Sequence, residues 1–187
     1  MTTAIIIAGG SGSRMGQDMA DNEKLDINEA IYSVTGGGDG AANPAAMRDE
    51  WSGDVGCGVK YFSQDGVIKL APRAGIALDE SLSPAEKLKV VQKLMEAGDE
   101  RAAAVFRSIG CCLAHTLAYY HALYGCEHLL LLGRVMSGKG GDTLLESCRA
   151  VLADEYGALN EVLTIHLPDE KFRRVGQSAV AASLPEA

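Results

Sequence analysis

Two glycine-rich segments carry the residues most able to do chemistry. The first is Ala8-Gly9-Gly10-Ser11-Gly12-Ser13-Arg14-Met15-Gly16, the second Gly133-Arg134-Val135-Met136-Ser137-Gly138-Lys139-Gly140-Gly141. Bare glycine backbone lets a ligand approach closely, and successive N–H groups can form a nest for an anion. Each cluster follows an apolar run, Thr3–Ala8 and His128–Leu132, that reads as a buried strand. A strand ending in a glycine loop that opens a helix is a sound place for phosphate or adenosine, because the first N–H groups of a helix lack partners. A purely structural turn accounts for either cluster as well, and both readings stay open.

Other side chains add less. Asp54, flanked by Gly53 and Gly56, suits a metal ion or a sugar hydroxyl in a loop, and equally a turn bonded to its own backbone. His115 and His121, six apart on one helix, do not share a face as zinc ligands would, so satisfied histidines are expected. His128 precedes a strand and His166 lies in one, with no visible partner for either. No nucleophile–base pair stands out. Gly133, Gly138 and Lys139 match most of the phosphate-loop pattern G-x-x-x-x-G-K-[ST], but Gly140 stands where the magnesium-binding hydroxyl belongs.

The composition narrows the classes. A formal charge of -8 argues against a broad nucleic-acid footprint, while leaving room for a small anion held by backbone. The longest apolar runs, Ala4–Ile7 and Leu129–Leu132, are too short to span a bilayer. Met1-Thr2-Thr3 has no basic segment, so no secretory signal is expected. Five cysteines without a C-x-x-C pair fit reduced thiols in the cytoplasm, with the Cys111-Cys112 doublet as core filler.

Elements that would position the two clusters can be read along the chain. Ala30–Val34 is a candidate second strand, and residues 35–50 form a candidate flexible loop within a single lobe spanning 1–187. Val59–Leu70 leans helical. Ser83-Pro84-Ala85-Glu86 is a capping box that starts a helix running to about Ala97. Asp99 caps a long apolar helix closed by Gly125. Its apolar character makes self-association as a homodimer conceivable, and burial inside the lobe explains it equally. Strand His128–Leu132, helix Asp142–Glu155, strand Glu161–Leu167 and a final helix near Lys171–Ala182 follow, implying a parallel βαβ unit. The fold class expected is α/β, a mixed sheet flanked by helices.

The first cluster resembles the opening of the nucleotidyltransferases that activate sugars and polyols, A-G-G-x-G-x-R-M-G, with Arg14 implied on the triphosphate. The Pro-Lys pair that follows in that family is missing. Over roughly Gly53 to Leu184, the order of elements resembles the C-terminal lobe of the sugar kinases in the actin-like ATPase (ribonuclease H-like) superfamily. The texture is closest to the ROK group of repressors and kinases. Ala97-Gly98-Asp99-Glu100-Arg101-Ala102, Glu127–Gly133 and Val175–Ala182 carry that likeness.

The resemblance implies an ATP-dependent kinase lobe acting with Mg2+ and a small sugar. Gly9, Gly10, Ser11 and Gly12 would meet the phosphates; Gly133, Ser137, Gly138, Lys139, Gly140 and Gly141 would lie at the adenosine end; Asp54 would be a metal contact. The family's zinc cluster and its N-terminal catalytic lobe have no counterpart here. Phosphoryl transfer would therefore need another lobe, and a sugar-responsive regulatory module is the non-catalytic alternative.

Overall fold

The computed structural model describes residues 4–9 and 58–169. Gly10, Ser11, Gly12, Asp54, the candidate strand at 30–34, the loop at 35–50 and the final helix near 171–182 lie outside them. The described chain mixes helix and strand and is mostly helical, with a small parallel sheet. Among the described residues, strand β1 (Ala4–Gly9) is followed by a 3-10 turn at Gly58–Lys60 and helices α1 (Gln64–Arg73), α2 (Pro84–Glu96) and α3 (Glu100–Tyr124). Then come β2 (His128–Gly133), a 3-10 turn at Arg134–Met136, α4 (Gly138–Glu155), the short α5 (Gly157–Val162) and β3 (Thr164–His166).

The helix ends show why these segments fold locally. Ser63 starts α1 by accepting the Asp65 N–H on its hydroxyl at 3.1 Å. At the head of α2, the Ser83 N–H donates to Glu86 Oε2 at 2.9 Å, as the capping box requires. Gly98, at φ +80°, ends α2 in a left-handed turn, with the Asp99 N–H reaching back to the Leu94 carbonyl. Asp99 at once caps α3, accepting the Arg101 N–H at 2.9 Å and pairing with its guanidinium at 2.7 Å. Gly125, at φ 63°, closes α3 after 25 residues.

The Arg101 hydrogen bonds hold the Asp99 carboxyl down at about 2. A folded-state value below the unfolded one gives stability that is complete above about pH 4 and is lost as pH falls toward 2. Asp99→Asn keeps a capping oxygen but not the charge. Its urea midpoint is therefore expected to fall less between pH 4.5 and pH 2 than that of the wild type, compared by circular dichroism.

The core lies between α3, α4 and the sheet. Val105, Phe106, Ile109, Leu113 and Leu117 of α3 are buried, as are Leu144, Cys148 and Leu152 of α4 and Leu129 and Leu131 of β2. The two helix backbones meet at Gly110, where a Cβ would stand 2.3 Å from the Leu144 carbonyl oxygen. Ser147 fastens the crossing by donating to the Arg107 carbonyl at 3.0 Å. Among the described residues α3 is the one helix long and apolar enough to cross a membrane. More than half of its apolar window is buried inside the fold. Its apolar side chains are thus largely used within the chain, and Tyr119, Leu123 and Tyr124 near its end remain exposed.

The cysteines behave as small apolar residues: Cys126 and Cys148 are buried, Cys111 and Cys112 half-buried, all four free. Burial pushes the Cys148 thiol up to about 12.

Three expectations need correction. The described strands pair in parallel, in the order β1-β2-β3, and the candidate strand at 30–34 lies outside the described residues. The segment 59–70 is not one helix; the chain turns at Tyr61–Ser63, and α1 starts at Gln64 because Ser63 supplies its cap. Glu161 and Val162, expected to open a strand, instead end the helix Gly157–Val162, since the N–H groups of Asn160 and Leu163 bond back to Tyr156 and Leu159. Only Thr164–His166 is left for β3. Finally, α4 begins at Gly138, not Asp142, so the second glycine cluster forms its first turn.

Candidate functional site

The first structural fact about the site is a register. β1 and β2 run parallel as neighbours, Ala4 opposite His128 and Gly9 opposite Gly133. Gly9 and Gly133, the last residues of β1 and β2, therefore lie side by side at the carboxyl edge of the sheet, about 4.8 Å apart by strand spacing. In parallel sheets this edge is where ligands collect, because loops rather than strands line it.

After β2 the backbone turns sharply. Gly133 has φ 107°, a conformation that side chains resist. The 3-10 turn that follows is pinned from α2 by Gln92, whose amide donates to the Arg134 carbonyl at 2.9 Å. Ser137 stands at the N-cap of α4 but caps nothing. Its Oγ is the one buried side-chain oxygen without a hydrogen-bond partner among the described residues. Gly138, at φ +64°, sets the entry to the helix.

The helix N-terminus is filled by the protein itself. Glu96, the last residue of α2, accepts the Lys139 N–H on Oε1 at 3.1 Å. The Lys139 ammonium donates to the Glu96 carbonyl at 3.1 Å and stands 3.7 Å from Oε2. A carboxylate at the positive end of a helix and a lysine at the carbonyl end of its neighbour are both favourable placements. The Lys139 side chain thus lies against the end of α2 while remaining more than half exposed.

Gly140 and Gly141 face inward. A Cβ on Gly140 would meet the Phe106 ring at 2.5 Å, and one on Gly141 would meet the Met136 carbonyl oxygen at 2.1 Å. Their bareness is accounted for by packing: it lets the first turn of α4 settle on α3 and on the preceding turn. Gly133 and Gly138, with positive φ, shape the loop proper.

Elsewhere, His115 Nδ1 pairs with the Tyr156 hydroxyl at 2.8 Å, and His121 Nδ1 with the Cys126 carbonyl at 2.8 Å, so both are satisfied as expected. His128 and His166, for which the sequence shows no partner, have each other: Nδ1 of the first lies 3.1 Å from Nε2 of the second. Sequence alone could not pair them, because the β2–β3 register brings them together across 38 positions. A cleft of about 480 Å³ lies along the second half of α4, lined by residues including Arg149, Asn160 and Thr164. None of the glycine-cluster residues lines it.

No protein-family model, curated protein or solved structure matches the chain.

Proposed function

We propose that this chain is a nucleotide-binding lobe of the sugar-kinase kind within the actin-like ATPase superfamily, binding ATP with Mg2+ at the carboxyl edge of β1 and β2. The observation that carries the reading is the register of Gly9 against Gly133, one glycine from each cluster, at the carboxyl edge of neighbouring strands. The division of labour follows from charge. The α4 N-terminus already holds the Glu96 carboxylate, so a second anion there would be repelled. The uncharged adenosine belongs at Gly133, Ser137 and Gly138, with Gly140 and Gly141 supporting the turn from behind.

The polyphosphate belongs at Gly9, Gly10, Ser11 and Gly12, whose backbone N–H groups would cradle it. The unpartnered Ser137 hydroxyl supports a polar ligand at this edge. Among the described residues no group of three His, Cys, Asp or Glu could hold a metal. Mg2+ would therefore ride on the phosphates, with Asp54 as its protein contact, and would neutralise charge on the phosphoryl group. Transfer to a sugar hydroxyl would require a second, catalytic lobe. The free thiols favour a cytoplasmic setting.

Calorimetry with MgATP tests the reading. Gly12→Val is expected to weaken binding at least tenfold, about 1.4 kcal/mol, with an unchanged thermal midpoint. Lys139→Ala is expected to change affinity by less than about threefold, about 0.7 kcal/mol, because its ammonium is bound to Glu96. No binding by the wild-type chain, or a large loss confined to Lys139→Ala, would refute it.

A further inference from the structure

The two histidines that meet across β2 and β3 have a geometry that invites a metal ion. His128 lies opposite Thr164 and Leu130 opposite His166, so the imidazoles are diagonal neighbours on one face of the sheet. Their rings are tilted by 33° with centroids 5.3 Å apart, and His128 Nδ1 stands 3.1 Å from His166 Nε2. His128 is half-buried and His166 exposed, so an ion can reach the pair from solvent.

Two imidazole nitrogens this close have two stable arrangements. One ring can donate its N–H to the lone pair of the other, or both lone pairs can converge on a cation. Zinc–imidazole bonds of about 2.0–2.1 Å, at angles between square and tetrahedral, place two nitrogens roughly 2.9–3.4 Å apart by trigonometry from those bond lengths. The separation of 3.1 Å falls inside that span. Closing the chelate requires the two imidazoles to turn about their side-chain torsions until both lone pairs face one ion, while the paired strands hold the two residues within that reach.

We propose that His128 and His166 form a two-imidazole chelate for a borderline divalent transition metal, the class of zinc, nickel and copper. Imidazole selects these ions over magnesium and calcium, which prefer oxygen donors. Among the described residues no third His, Cys, Asp or Glu joins the pair. The site is remote from the glycine turns. His128 begins β2 and Gly133 ends it, a separation of roughly 17 Å along a strand at about 3.3 Å per residue. Its ion is therefore separate from the magnesium of the proposed nucleotide site, and the inference stands whether or not ATP binds. Bound metal would tie the three-residue β3 to β2, stabilising the folded chain by mass action.

The test is titration of the full chain with Ni2+ by calorimetry, alongside His128→Gln and His166→Gln. One ion per chain is expected, and each variant is expected to lose at least tenfold in affinity along with the metal-induced rise in thermal midpoint. The double variant should bind no more weakly than either single one, because one imidazole alone does not chelate. In the unaltered chain, electron paramagnetic resonance of bound Cu2+ should show two nitrogen ligands, a readout that needs no mutant to fold. Unchanged affinity in both variants, or a thiolate charge-transfer band with Co2+ marking cysteine as the ligand, would overturn the assignment.

Discussion

Gly141→Ala is expected to destabilise the chain by about 3 kcal/mol, the upper range for forcing an extra methyl into a packed site. The added Cβ would stand 2.1 Å from the Met136 carbonyl oxygen and 2.3 Å from its carbon. Both are backbone atoms, so no rotamer change relieves the collision. Alanine's better helix propensity, about 1 kcal/mol over glycine, offsets only part of this. Urea unfolding followed by circular dichroism reads the loss directly. An unchanged midpoint would mean that the first turn of α4 does not rest on the turn after β2. The same collision shows why substitution here is a poor probe of ligand contact: valine at 141 would be expected to unfold the chain as well as empty the site.

Phe106 is the second position where a large effect is expected. Its side chain is fully buried in the second turn of α3, with the ring tip directly under Gly140. Phe106→Ala is expected to cost about 4 kcal/mol through lost burial and the cavity left behind. The partnership has a sharper signature in a double-mutant cycle. Gly140→Ala alone drives a methyl against the ring and should destabilise by about 2 kcal/mol. In a Phe106→Leu background the ring tip is gone, and the same substitution should cost at least about 1 kcal/mol less. Strict additivity would show that α3 and α4 do not meet through this pair.

The parts of the fold that were legible in the sequence are those whose signals are local. Ser83 with Pro84 and Glu86 marks the start of α2, and Asp99 with Gly125 brackets α3, because caps are made by neighbours in the chain. Strand β2 was legible from the run His128–Leu132. The glycines at 138–141 were misread as loop because glycine is a weak helix former, a preference that Phe106 and Met136 override from a distance. The segment 161–167 looked like strand by residue type, yet backbone bonds closing onto Tyr156 and Leu159 take its first two residues into α5.

The candidate site divides along the same line. That two strands end in glycine was readable; that they end beside each other depends on register, which no local pattern encodes. Glu96 as the occupant of the α4 N-terminus was invisible, being 43 positions away from Lys139. The histidine pair was hidden for the same reason.

The central claim is that both glycine turns serve one ligand. Amide-resolved NMR during titration with a magnesium-bound, non-hydrolysable ATP analogue tests it most directly. The result expected is that the N–H signals of Gly9, Gly10 and Gly12 shift together with those of Gly133 and Gly138 along a single saturation curve, while Asn160 and Thr164 in the distant cleft stay still. Shifts confined to one turn, two curves with different midpoints, or movement only in the cleft would contradict it.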